Sequence, residues 1–325
     1  MRSFLFFLSA VLACGQATQD RTFRFQSPAT DQDFQDLSVA ALTVSGLKAR
    51  TVEVALRELS ISGTSEEVRV TAWVIAELDR PAAATPPPPS SILTFDTKEP
   101  DNTIRVFYPA QISSDQDLME VLTALRTITD VRYLGVYTSH RAVVVRGSRE
   151  QIDLAEWLLA EVNRDSPQES YVFPKSGRDF QSGENLVRVF RFTRAKDLQQ
   201  FSEAQTMIRT ITDTRRVYPY VSKRAIVLRA SEEQLDMTRW LLAQVDKELP
   251  FADKSTSGDY NMKSGDVVRL FYYSGGMTTQ AFNETQTAMR LATGIRRVFP
   301  YASGRMIAAR GTAAQIVEAA AVAAQ

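Results

Sequence analysis

Side chains suited to covalent or acid–base chemistry are scarce in this 325-residue chain, and their spacing builds no reacting set. The one histidine, His140, falls on a short turn, and its counterparts later in the chain are Lys223 and Gly304. The one cysteine, Cys14, falls just after the first apolar run. A Ser/His/Asp or Cys/His arrangement therefore lacks either its base or its nucleophile. Carboxylates are scattered, and Asp153 and Asp236 give way to Val317 in the last copy of a repeat described below. No Gly-rich phosphate loop, metal-ligand spacing or nucleotide fingerprint occurs. These observations predict a protein that is not an enzyme, with no cofactor and no metal. A cleft between two carboxylates is the remaining enzymatic option.

Arginines are the polar residues with a pattern. Arg24, Arg105, Arg188 and Arg269 fall at one place in four similar segments, and Arg57, Arg141, Arg224 and Arg305 at another. Arg215-Arg216 and Arg296-Arg297 open two hairpins that continue to Lys223-Arg224 and Arg305. A guanidinium pairs bidentately with a carboxylate and is favoured at interfaces, so one reading is a ladder of contacts to acidic groups on a neighbouring module. The plainer reading is a solvated sheet face with cross-strand pairs. The hairpins also suit an acidic partner, an anionic glycan or lipid head groups.

The elements that position these arginines come from an internal repeat. Arg126-Thr-Ile-Thr-Asp130 recurs as Arg209-Thr-Ile-Thr-Asp213, 83 positions on, and the offset holds through Trp157-Leu-Leu-Ala160 and Trp240-Leu-Leu-Ala243. Arg215-Arg-Val-Tyr-Pro-Tyr220 returns 81 positions later as Arg296-Arg-Val-Phe-Pro-Tyr301. A diverged first copy opens at Thr22-Phe-Arg-Phe25 and closes at Trp73-Val-Ile-Ala-Glu77. The expected modules are 22–80, 103–164, 187–247 and 268–325. Linkers at 81–102, 165–186 and 248–267 join them, the first stiffened by Pro86–Pro89 and the others read as looser tethers. No further domain is expected after the fourth copy.

Within the second copy, Ile104, Val106 and Tyr108 alternate with Arg105 and Phe107, as in a strand with two unlike faces. Leu118, Leu122, Leu125 and Ile128 then recur at helical spacing after a Ser113-Ser114-Asp115 cap. Two strands flank the Thr138-Ser139-His140 turn, and Ser148 with Gln151 forms a capping box for a second helix. The order β-α-β-β-α predicts an α+β fold of four tandem two-layer modules, each a three-stranded sheet with both helices on one face. Pro219 and Pro300 lie in the second strand of their copies, which makes that strand an edge or gives it a bulge. Trp73, Trp157 and Trp240 share one helix position, filled by Ala321 in the last copy, and are expected to be partly buried.

The N-terminus reads as an address. Met1-Arg2 precedes the apolar run Phe4–Leu12, and Gly15-Gln16-Ala17 suits signal peptidase, so residues 1–17 are expected to be removed on export. Alternatively, Val11-Leu12-Ala13-Cys14 resembles a lipobox, with Cys14 as the lipid-bearing residue. Thirty-eight basic residues balance thirty-eight acidic ones, so no global field draws the chain to nucleic acid or a membrane surface. No stretch is long enough for a transmembrane helix in the mature chain.

The β-α-β-β-α order, with Arg146-Gly-Ser-Arg-Glu-Gln-Ile-Asp-Leu-Ala-Glu-Trp-Leu-Leu-Ala-Glu-Val162, resembles the periplasmic N-domain modules of bacterial secretins. In those modules a strand ending in glycine leads to a Glu-Gln-Ile helix finishing near an Asp, as Leu78-Asp79 and Val245-Asp246 do here. The resemblance implies ring-building or docking among envelope and secretion-system proteins, in the periplasm or at the outer membrane, and self-association. The secretin pore region is missing from the sequence. The related β-α-α-β RNA-binding family uses a Gly-x-x-Gly clamp, also missing, so no nucleic-acid partner is expected. The expected function is a non-catalytic envelope scaffold or assembly component. The alternative is a monomeric module binding an anionic envelope polymer.

Overall fold

The computed structural model describes residues 18–80, 92–94, 101–109, 112, 114–162, 164, 170–173, 183–191, 197–245, 255–273 and 277–324. The expected leader with Cys14 and the Pro86–Pro89 run lie outside these residues. Among the described residues, no helix is long and apolar enough to cross a membrane.

The fold is mixed α+β and repeats β-α-β-β-α four times. Module 1 runs β1 (Gln19–Arg24), α1 (Asp31–Ser45), β2 (Ala49–Glu53), β3 (Glu58–Gly63) and α2 (Ser65–Leu78). Module 2 is preceded by β4 (Ile92–Thr94) and runs β5 (Thr103–Phe107), α3 (Asp115–Thr129), β6 (Tyr133–Tyr137), β7 (Ala142–Gly147) and α4 (Arg149–Glu161). Module 3 follows β8 (Tyr171–Val172) with β9 (Leu186–Arg191), α5 (Leu198–Thr212), β10 (Arg216–Tyr220), β11 (Ala225–Ala230) and α6 (Glu232–Val245). Module 4 follows β12 (Ser255–Thr256) and β13 (Tyr260–Asn261) with β14 (Val267–Tyr272), α7 (Thr279–Thr293), β15 (Arg297–Tyr301), β16 (Met306–Gly311) and α8 (Ala313–Ala323).

The third strand of each module is central. The sheets are ordered β1-β3-β2, β4-β5-β7-β6, β8-β9-β11-β10 and β12-β14-β16-β15, with β13 also on β14. The proline-bearing strands β10 and β15 are edges, as their missing N–H donors require. Short strands lie within the expected linkers, β4 in 81–102, β8 in 165–186 and β12 and β13 in 248–267, so three sheets gain members beyond the expected three. Trp157 and Trp240 hold two of these strands, packing against Tyr171 and Tyr260 with ring centroids 5.4 and 5.7 Å apart.

Local chemistry sets the helix ends. Thr30, Thr64, Ser148 and Thr312 each form a capping box with the residue three positions on. In modules 2, 3 and 4 the glutamine of that position has a second task. Gln151, Gln234 and Gln315 donate from Nε2 to Thr129, Thr212 and Thr293 carbonyls, each at 3.0 Å, tying the start of the second helix to the end of the first. Module 1 has Glu67 here, which accepts but has no N–H to give.

Contacts divide the chain into two compact units. One holds module 1 with residues 105–108 and 133–145, and the other holds most of the remainder. The division does not follow the repeat, because α1 packs on β6 of the following copy. Within the second unit the same relation recurs, with α3 on β10 and α5 on β15. Consequently the sheets of modules 3 and 4 are buried on both faces. In module 4, Val267, Phe271, Ile307 and Ala309 pack with Phe282, Met289, Ile316 and Ala319 of its own helices. The alternate residues Val268, Leu270, Tyr272, Met306 and Ala308 join a different core, with Phe201, Met207 and Ile211 of α5. All six residues of β11 are buried for the same reason.

Burial shows in the tyrosines. It pushes Tyr218, Tyr272 and Tyr273 up to about 12, and the Glu120 carboxylate adds to the shift of Tyr218. A raised folded value means the unfolded chain releases these protons first, from near pH 10. Stability is therefore intact below pH 10 and falls as pH rises towards 12. Denaturant titrations should show this loss, and tyrosinate absorbance should show a late-ionising class that merges with the rest in denaturant.

Candidate functional site

The recurring polar side chains converge where one module's first helix meets the next module's sheet. At the junction of modules 2 and 3, Asp130 ends α3 in the left-handed region, φ 58°. Its Oδ2 accepts from Arg216 Nε at 2.7 Å and from Arg229 Nη1 at 3.3 Å. Arg229 is 2% exposed, and its guanidinium also donates to the carbonyls of Ile128 and Glu184. It lies over the Phe173 ring, 4.4 Å from the centroid. Arg216 reaches Glu184 Oε2 at 3.0 Å. One turn into α3, Glu120 Oε2 accepts from the Ser222 N–H at 3.1 Å and its hydroxyl at 2.9 Å.

The junction of modules 3 and 4 repeats the arrangement. Asp213, φ 59°, takes Arg297 Nε on Oδ1 at 2.9 Å and Nη2 on Oδ2 at 2.7 Å, with Arg310 Nη1 on Oδ2 at 3.2 Å. Arg310 also donates to the Ile211 carbonyl and to Asp266. Glu203 accepts from the Ser303 N–H at 3.0 Å. Between α1 and β6 the solution is different. Gly46 ends the helix, and Asp33 pairs with the Ser139 hydroxyl. Gly135 admits the helix backbone, since a Cβ there would lie 2.8 Å from the Ala40 carbonyl oxygen.

The arginines singled out by repetition divide into three groups. Arg216 and Arg297 are junction residues, while Arg215 and Arg296 are exposed. Arg57, Arg141, Arg224 and Arg305 share a left-handed backbone, φ 48–53°, after a tight turn. In module 1 the Arg57 guanidinium donates to the carbonyls of Pro28 and Ala29, holding the loop before α1. Of the first-strand arginines, Arg188 and Arg269 face their own module's helices. Arg188 reaches Ser170 at 2.6 Å, and Arg269 pairs bidentately with Asp259 at 2.6 and 2.7 Å, both in the segments preceding their modules. Arg105 lies over the Phe107 ring at 5.0 Å. The sheet register puts Arg21 opposite Ile61, as Arg188 is opposite Leu228 and Arg269 opposite Ala309. Arg24 lies at the strand end, paired with Glu58 at 3.3 Å.

Sequence reasoning missed Asp130, Asp213, Glu120, Glu203, Arg229 and Arg310. The signal was present: an arginine at the end of an otherwise apolar strand, and an aspartate where a helix prefers glycine. His140 packs edge-on against Tyr137, 4.7 Å between centroids. Among the described residues, no group of His, Cys, Asp and Glu could hold a metal ion.

No family model matches the chain, and no curated protein matches it. Among solved structures it is similar to a chain of the a/eIF2alpha-aDim2p-rRNA complex from Pyrococcus horikoshii OT3. The identity is 10%, over 46% of this chain and 88% of that one, with a TM-score of 0.24. It is also similar to ExeD of Aeromonas hydrophila, at 11% identity over 79% of this chain and a TM-score of 0.16. This chain spans 44% of ExeD's length. Neither likeness, at these values, bears on function.

Three substitutions test the junction geometry. Asp130→Ala leaves the buried Arg229 without its carboxylate and should cost about 3 kcal/mol in urea unfolding. Asp213 is more exposed, at 47% of its side chain, and Asp213→Ala should cost about 1 kcal/mol. Gly135→Ala forces the α1 backbone away and should cost about 2 kcal/mol.

Proposed function

We propose that this chain is an exported, non-catalytic scaffold or assembly component of the bacterial cell envelope, working through protein–protein contacts. One observation carries the reading: the residues repeated from copy to copy are spent on seating one folded module against another. Asp130 with Arg216 and Arg229, and Asp213 with Arg297 and Arg310, are the clearest cases. The leader pattern of residues 1–17 supports export, and the secretin-like order of elements supports an envelope or secretion-system setting. The second reading, a monomeric binder of anionic glycan or lipid head groups, keeps Arg215 and Arg296 as exposed cations. It loses Arg216 and Arg297, which already face carboxylates.

Expression of the full chain in a Gram-negative host, with fractionation and mass analysis, tests the location. The expected product is periplasmic and starts at Thr18, or bears lipid on Cys14. An intact Met1 terminus in the cytosol defeats the export reading. In-cell crosslinking should then trap discrete protein adducts whose yield survives Arg215→Glu with Arg296→Glu. If instead the purified chain binds anionic vesicles or a sulfated glycan, and those changes abolish binding, the second reading replaces the first.

A further inference from the structure

Among the described residues β1 has no strand on its outer side, and five of its six residues are exposed. In the other three copies the matching edge is paired: β4 lies on β5, β8 on β9, and β12 and β13 on β14. Edges elsewhere are blunted. β10 and β15 carry Pro219 and Pro300, and β2 shifts register between Ala49 and Thr51. β1 has no proline, and it pairs with β3 without a shift from Gln19 to Arg24.

Alternation assigns the backbone groups of this edge. Phe25 donates its N–H to the Arg57 carbonyl at 3.0 Å, just before β3. Phe23 and Arg21 therefore also point inward, and Asp20, Thr22 and Arg24 point outward. Leu270 matches Thr22 and shows how module 4 uses such groups. Its N–H donates to Ser257 Oγ and its carbonyl accepts from the Ser257 N–H, both at 2.9 Å. At Thr22 no described strand meets the same two groups.

The side chains select the strand that fits. Pairing β1 antiparallel with β1 of a second copy, about a two-fold axis at Thr22, sets Thr22 against Thr22 and Asp20 against Arg24 on either side. These pairs use every outward backbone group of Asp20, Thr22 and Arg24. They also extend a charge ladder already present, since Asp20 pairs with Arg50, and Arg24 with Glu58 at 3.3 Å. Signs then alternate from Arg50 through Asp20 to Arg24 and Glu58 of the second copy. On the other face Arg21 meets Phe23 of the second copy, as it covers Phe23 of its own strand at 4.8 Å. An axis at Arg21 would set that arginine against itself, and an axis at Phe23 would set Asp20 against Gln26.

We propose that β1 is a dimer edge, to which a second copy of this chain adds its own β1, antiparallel and two-fold symmetric about Thr22. The two three-stranded sheets of module 1 then become one continuous sheet. The proposal rests on the protein-contact reading above and names one partner. An isologous edge of this kind closes at two copies.

Sedimentation of the exported full chain tests it. Wild type should dimerise with rising concentration and stop at two copies. Asp20→Arg or Arg24→Asp alone places like charges across the axis and should weaken the dimer at least about tenfold. An equimolar mixture of the two variants should restore it as a heterodimer, because one supplies cations where the other supplies carboxylates. These side chains are 62–70% exposed apart from Glu58, so each variant should keep its fold. Thr22→Pro removes an outward N–H and should weaken the dimer by a similar factor. If Thr22→Pro misfolds, the charge variants and their mixture carry the test alone. A monomeric wild type overturns the proposal, as does a dimer indifferent to these changes or a mixture that stays monomeric. So does a larger ring that the charge variants disperse. A monomeric wild type that still gives in-cell adducts with other proteins would sink the dimer and leave the scaffold reading standing. Polymer binding lost on Arg215→Glu with Arg296→Glu would defeat that reading without altering the sedimentation outcomes.

Discussion

A three-stranded sheet has two faces, and the two helices of one repeat can cover only one of them. In modules 3 and 4 the uncovered face is apolar, so it must find a lid elsewhere. Val268, Leu270 and Tyr272 find theirs in α5. Each fully buried side chain of this kind is worth about 1.5–3 kcal/mol. A 60-residue module closes only a marginal core alone, so this shared burial is a large part of its stability. Most other features of the second unit follow from that need for a neighbour.

Apolar burial does not choose which helix lies on which sheet, and the ion pairs supply the choice. Aspartate in the left-handed region at a helix end is less comfortable than glycine by about 1 kcal/mol. Asp130 and Asp213 hold that position where arginines arrive, while glycine holds it in α1 and α7. Removing Arg229 and Asp130 together would be far less harmful than removing either one, since the lone charge is the expensive species. The pairing therefore discriminates among modules more than it strengthens any one of them.

Much of the fold was legible in the sequence because duplicated text exposes its own boundaries. The Arg-Thr-Ile-Thr-Asp phrase located the copies, helical spacing located α3, and Pro219 and Pro300 marked edge strands. What escaped was everything that depends on a neighbour. The alternation of β11 could not be read as one buried and one exposed face, because both are buried. Nothing in the sequence marked Arg229 as buried, because its burial depends on α3 of the preceding copy. The linkers read as tethers by composition, but Tyr171 and Tyr260 bring them back against tryptophans. Arg21 was masked by Arg24, since only the pairing register distinguishes two arginines three residues apart.

The direction of the helix-on-sheet contact has a bearing on how the molecule is made. In every such pair the helix belongs to the earlier copy and the sheet to the later one. A polypeptide emerging from a ribosome or a translocon, N-terminus first, therefore offers each lid before the surface it will cover. The newest sheet meets a finished template and is never the first of the two to appear. Vectorial synthesis and the spatial grammar of this repeat run the same way.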